Sequence, residues 1–192
     1  MENDILLSVL VGLGLAAACG FRVFVPLLVM SLASRGDYLQ LAEGFSWIAS
    51  DPAVITFGAA TALEILAYYV PWLDNLLDGA ATPSAIVAGV VASASQIQGM
   101  DPWLTWSIAA IGGGGVAGSV QGLTVLTRQV SLFATGGFGN PLVSTAEAAS
   151  SVGFALLAIV MPLVAVGILL VVVFLLLTKV LRHRSRAAPG SV

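Results

Sequence analysis

The sequence predicts an all-α integral membrane protein of about five hydrophobic segments, and three observations lead there. Hydrophobic residues make up 58% of the 192 positions and charged residues only 9%, against about a quarter charged in an ordinary soluble domain. Mean hydropathy is +1.02. The apolar residues gather into long runs, several near the ~20 residues that a helix needs to cross a bilayer. A surface so poor in charge suits lipid better than water.

The first segment runs from Ile5 to about Ala33. Acidic Glu2 and Asp4 precede it, and it is too long for the apolar core of a secretory signal, so it reads as a retained helix. The second covers Pro52 to Trp72, after a loop (34–50) whose Phe45 and Trp47 suit a membrane interface. The third, Pro83 to about Ile97, carries Ser93, Ser95 and Gln96 with Gln98 just beyond, and is polar enough to read as re-entrant or shielded. The fourth covers Pro102 to about Leu126 and the fifth Val152 to Leu181. Between them, Gln129 to Ser151 is too polar to span and too apolar for a surface loop, and reads as a re-entrant or irregular segment.

Helix starts are expected at Asp51-Pro52, Thr82-Pro83, Asp101-Pro102 and Asn140-Pro141. Each puts an N-cap acceptor before a proline whose missing N–H has no helical partner anyway. Residues 1–181 form one helical domain, and 182–192 a basic, disordered tail holding Arg182, Arg184 and Arg186. Placing the tail in the cytoplasm puts the N-terminus outside, Arg35 inside and Arg128 toward the outer side. Gly12, Ala16 and Gly20 reappear as Gly114, Gly118 and Gly122, and LAYYVP (66–71) resembles LAIVMP (157–162), which suggests an inverted repeat of helix pairs.

Several chemistries are excluded. Cys19 is the lone cysteine, so one chain makes no disulfide and no thiolate metal site. The lone histidine, His183, lies in the tail, and neither a G-x-S-x-G elbow nor a P-loop occurs. No enzyme, metal or cofactor is expected, and no basic stripe offers itself to nucleic acid. The expected partners are the bilayer and a second copy of the chain, with the substrate left open.

The candidate residues each carry two readings. The glycine face (Gly12, Ala16, Gly20; Gly114, Gly118, Gly122) either lets helices approach closely or marks an unwound mid-membrane stretch. Arg22 and Glu64 lie at membrane depth, where a bare charge costs about 2.5–3.5 kcal/mol. They either pair structurally, with each other or with other spans, or make Glu64 a proton or cation site; Arg22 snorkelling is a further option. Tyr68, Asp74, Asn75 and Asp78 form the densest polar group, with the aspartates on one helical face. That group either binds a cation or headgroup, or caps Thr82-Pro83 and pairs with Arg128. Gln121, Arg128, Asn140 and Glu147 surround TGGFGNP (135–141), either an anion-cradling loop or a bend without a ligand.

The runs EILAYYVPWLDNLLDGAATPSAIVAG, WSIAAIGGGGVAGSVQGLTVLTR and TGGFGNPLVSTAE resemble a bacterial multi-pass membrane family of unknown function, the one numbered four-one-two-six. The likeness extends from about Gly12 to Pro162 and implies a small prokaryotic inner-membrane protein, with no activity or site residue to carry over. The residues themselves favour a small transporter or channel-like protein for a solute or ion. The alternative is a non-catalytic scaffold associating through its glycine faces.

Overall fold

The computed structural model describes the backbone of residues 2–187, with the side chains of all of these except 2–3, 71–78, 176–177 and 179–187. Every regular element among the described residues is helical: α1 (Glu2–Phe21), α2 (Phe24–Arg35), a 3-10 turn (Ser46–Ala49), α3 (Asp51–Ala67), α4 (Pro71–Ala94), α5 (Pro102–Ile108), a π-helical turn (Ala109–Gly114), α6 (Gly115–Thr135), α7 (Asn140–Val160) and α8 (Pro162–Ala187). Among the described residues, three helical stretches are long and apolar enough to cross a membrane: 4–21, 102–135 and 140–160. Shorter apolar helices are 24–35, 79–94 and 162–175.

Prolines decide where the long runs break. A proline ring clashes with the carbonyl four residues back and removes one helical hydrogen bond. Pro26 aims that clash at Arg22, and α1 gives way to α2 at Arg22–Val23. Pro162 aims it at Ala158, and α7 gives way to α8 at Met161. The first and fifth segments of the five-span expectation are therefore each two helices. Pro83 behaves otherwise: it sits inside α4, so the start expected at Thr82-Pro83 and the separate third segment are replaced by one helix from Pro71.

α1 lies at the centre. Gly12 lies against Ser93 and Ala16 beside Gly89, so α1 and α4 run in opposite directions. Past the break, Val23 and Phe24 face Ala81 while the loop's Ala42 N–H donates to the Ser95 carbonyl at 2.7 Å, so α2 runs with α4. α2 therefore returns to the end from which α1 starts, and Arg35 meets Asp51 there in an exposed ion pair. The five-span expectation had put Arg35 at the opposite end from Glu2; the turn at Arg22 overturns that. α6 runs alongside α1, with Leu13 at Gly112 and Gly20 at Ala117, which carries Arg128 toward the other end. Inverted halves would set α1 and α6 in opposite directions, and they run in the same one.

α7 descends antiparallel to α1, through Ser144 at Arg22, Ser151 at Ala18 and Ala158 at Gly14. α8 turns back from Ala165, also beside Gly14. The irregular segment expected over 129–151 is instead the end of α6, a tight turn and most of α7. Gly136 (φ 62°) and Gly137 (φ 91°) supply the left-handed backbone for that turn. Of the expected caps, Asp101 accepts the Trp103 N–H at 2.9 Å. Ser50, not Asp51, caps α3 through the Ala53 N–H, and Asn140 is the first residue of α7 rather than its cap. The four-glycine run does not unwind; it widens into the π-helical turn, where Gly113 packs on Ser93 and Gly89. Residues 188–192, the last of the basic tail, lie outside the described residues.

Candidate functional site

Three charged side chains, Arg22, Arg128 and Glu147, are buried around the break, and a fourth, Glu64, is half-buried beside them. Arg22 follows α1 and is 1% exposed. Its Nη2 donates to the Ser144 carbonyl (3.0 Å) and hydroxyl (2.6 Å) and lies 3.2 Å from the Glu147 carboxylate. Arg128, 2% exposed on α6, donates through Nε to both Glu147 oxygens at 3.0 Å and through Nη2 at 2.5 Å. One carboxylate thus serves two guanidinium groups through charge-assisted hydrogen bonds, which are stronger than those between neutral groups. The sequence spacing makes this possible: Ser144, Glu147 and Ser151 share the inner face of α7, and Gln121, Thr124 and Arg128 that of α6.

Tyr68 joins the two cations. Its ring centroid lies 3.9 Å from the Arg22 guanidinium carbon and 4.0 Å from that of Arg128. A desolvated cation–π contact is worth about 2 kcal/mol, so the ring holds apart two charges that would otherwise repel. Tyr68 follows the last turn of α3, and the neighbouring Tyr69 hydroxyl lies 2.7 Å from Thr145 Oγ1 on α7.

Glu64, one turn earlier on α3, faces the break. Its Oε1 accepts the Val23 N–H at 2.8 Å and its Oε2 the Phe24 N–H at 3.1 Å. Those donors open α2, where orphan N–H groups and the helix dipole attract negative charge. A side chain from another helix therefore caps α2. Arg22 Nε and Nη1 are buried without a hydrogen-bond partner.

Two crevices reach this cluster. One, of about 400 Å³, lies among α2, α3 and α4, with Val23, Phe24, Glu64, Tyr68, Ala81 and Ser84 in its wall. The other, of about 640 Å³, lies among α1, α6, α7 and α8, with Phe21, Thr124, Thr127, Glu147 and Ser150 in its wall. Each has one glutamate in an otherwise mostly apolar lining.

Of the residues singled out in the sequence, Arg22, Glu64, Tyr68, Arg128 and Glu147 come together here, with Gln121 buried on the same face of α6 as Arg128. Arg22 and Glu64 do not hydrogen-bond to each other; Glu147 and Ser144 take Arg22. Asn140 opens α7, its N–H donating to the Gly137 carbonyl within the turn. In that turn the Gly139 N–H is taken by Thr135 Oγ1 at 2.8 Å. The side chains of Asp74, Asn75 and Asp78 lie outside the described residues. Ser144, Thr124 and Ser151 were missed in the sequence, although their spacing from Glu147 and Arg128 was legible. Among the described residues no group of three or more His, Cys, Asp or Glu side chains could hold a metal.

Compared with known proteins, residues 9–182 match the model of a family described as Domain of unknown function (DUF4126). No curated protein and no solved structure matches the chain.

Proposed function

For this chain, which belongs to the Domain of unknown function (DUF4126) family, we propose a small transporter or channel-like protein for a small solute or ion, without catalytic activity. The observation that carries the reading is the Arg22–Tyr68–Arg128–Glu147 cluster with Glu64 beside it, approached by one crevice at Glu64 and another at Glu147. Burying ion pairs rarely adds stability over well-packed apolar side chains, and ionisable groups at membrane depth mark solute and ion routes by default. Glu64, Arg22, Arg128 and Glu147 line the route in this reading, with Gln121 beside it and Asp74 and Asp78 assigned to the same route from the sequence.

Charge distribution supports an orientation. The end where α1 starts carries Glu2, Asp4, Asp37, Glu43, Asp51 and Asp101 against Arg35, while the α8 end carries Lys179, Arg182, Arg184 and Arg186 against Asp74 and Asp78 of the start of α4. The basic end faces the cytoplasm and the acidic end lies outside the inner membrane. The exposed Trp47, Trp103 and Trp106, near the acidic end, suit the outer interface. The bilayer is the obligatory partner, and a homo-oligomer is compatible with the lipid-facing surface.

The scaffold alternative has less to draw on. Gly12, Gly20, Gly114 and Gly118 lie against Ser93, Ala117 and Ile86 of the same chain, and of that glycine set Gly122 alone has open space around it.

The test is flux from proteoliposomes loaded with a panel of inorganic ions and small polar solutes. At least one flux should exceed that of protein-free vesicles and change in Glu64→Gln or Asp74→Asn. No flux above protein-free vesicles, for any member of the panel, contradicts the reading.

A further inference from the structure

We infer that the N-terminus of α2 is a binding site for a small inorganic anion of halide size, and that the Glu64 carboxylate is a tethered occupant which such an anion displaces. The inference rests on the transport reading for its physiological meaning and names the class of solute.

The first ground is geometry. Both Glu64 oxygens are held by successive backbone N–H groups, Val23 at 2.8 Å and Phe24 at 3.1 Å. Successive N–H groups at a helix start are the arrangement that binds free anions, with the dipole of the 12-residue α2 behind them. The second ground is independent of the helix end. Arg22, the residue just before Val23, is 1% exposed and has two buried donors, Nε and Nη1, without an acceptor. Guanidinium donors are rarely buried unmatched, and the Arg22 guanidinium lies 3.9 Å over the ring of Tyr68, which lines the same crevice as Val23 and Glu64.

Charge points the same way. With Glu64 moved aside, Arg22 and Arg128 face Glu147, and the site is left with an excess of positive charge. Room exists as well: Val23, Phe24, Glu64 and Tyr68 all line the crevice of about 400 Å³, so the carboxylate has space to leave and an ion has space to enter.

The experiment uses the full chain purified in detergent, as wild type, Glu64→Ala and Glu64→Gln. Thermal unfolding is compared in sodium bromide and sodium gluconate at equal ionic strength. Bromide should raise the Tm of both variants over gluconate, and that of the wild type, where it competes with Glu64, much less. An equal response in all three overturns the inference. In crystals of Glu64→Ala soaked in bromide, an anomalous peak beside the Val23 and Phe24 nitrogens is expected, and peaks only at other places overturn it.

Proteoliposomes separate this inference from the transport reading. Glu64→Ala should release chloride severalfold faster than wild type. Potassium flux without chloride flux overturns the anion assignment and leaves a conducting protein. A bromide peak at Val23 with no flux of any ion upholds the site and removes the transport reading.

Discussion

At Arg22–Val23 and again at Met161–Pro162 a long apolar run is interrupted by proline chemistry and the chain turns back on itself. The second break is apolar and self-sufficient: the Met161 N–H bonds to Leu157, the Met161 carbonyl accepts from Val164 and Ala165, and Gly14 lets Ala158 and Ala165 pack onto α1. The first break draws in Glu64 from α3, ends on a buried arginine, and gathers Tyr68, Arg128 and Glu147 around it. The two breaks differ in what they leave unmet: Pro162 opens α8 without an N–H, whereas α2 opens with the Val23 and Phe24 N–H groups that Glu64 takes. Glu64 meets that need; the Arg22, Arg128 and Glu147 charges lie beyond it, and that excess supports a functional reading over a structural one.

The comparison is sharpened by substitution, beginning where the effect is largest. Glu147→Ala leaves two buried guanidinium groups facing each other, and breaking such a pair costs about 3–5 kcal/mol. Detergent extracts of that variant should yield little monodisperse protein by size-exclusion chromatography. If it is as stable as wild type, the interior cluster is wetter and looser than described.

Glu64→Ala uncaps α2. Each buried N–H left without an acceptor costs about 1–3 kcal/mol, so thermal unfolding without halide should show a clear loss of stability. Gly14→Leu probes what the second break depends on instead. A Cβ at Gly14 falls 2.6 Å from the Ala158 Cβ, and overpacking of that kind costs about 1–3 kcal/mol. Its Tm should fall without any change in the response to bromide. The smallest effect belongs to Leu163→Ala, next to the second break on an exposed side chain, where a change within about 0.5 kcal/mol is expected. A larger loss there means that the second break is buried against something the single chain does not contain.

Much of the fold was legible in the sequence. Low charge and long apolar runs marked the helices, and Asp101-Pro102 marked a cap that forms as written. What was not legible is the direction of the chain at each proline. Pro26 and Pro162 lie inside apolar runs, where hydropathy is unchanged across the break, so each pair of helices read as one span. Pro83 has the same local chemistry and leaves α4 continuous, because neighbours decide whether a proline kinks or breaks a helix. The error at Arg22 reversed α2, which misplaced Arg35; of the two pairings expected for Arg22, the one with another span forms, through Ser144 and Glu147. Glu64 was legible as a costly buried charge. That it would serve backbone N–H groups, with Glu147 left to hold both arginines, depends on tertiary neighbours that no spacing encodes. The stripe of Ser144, Glu147 and Ser151 on α7 was available at helical period. It was passed over because the segment was read as too polar to span and too apolar for a surface loop, hence as re-entrant or irregular.

The most direct test of the account is water access to the first break. With Cys19, the native cysteine, replaced by serine, single cysteines at Glu64 and at Met161 are exposed in membrane vesicles to a charged, membrane-impermeant thiol reagent. The account predicts modification of Glu64→Cys and protection of Met161→Cys. If Glu64→Cys is as inert as Met161→Cys, no aqueous route reaches the charged cluster.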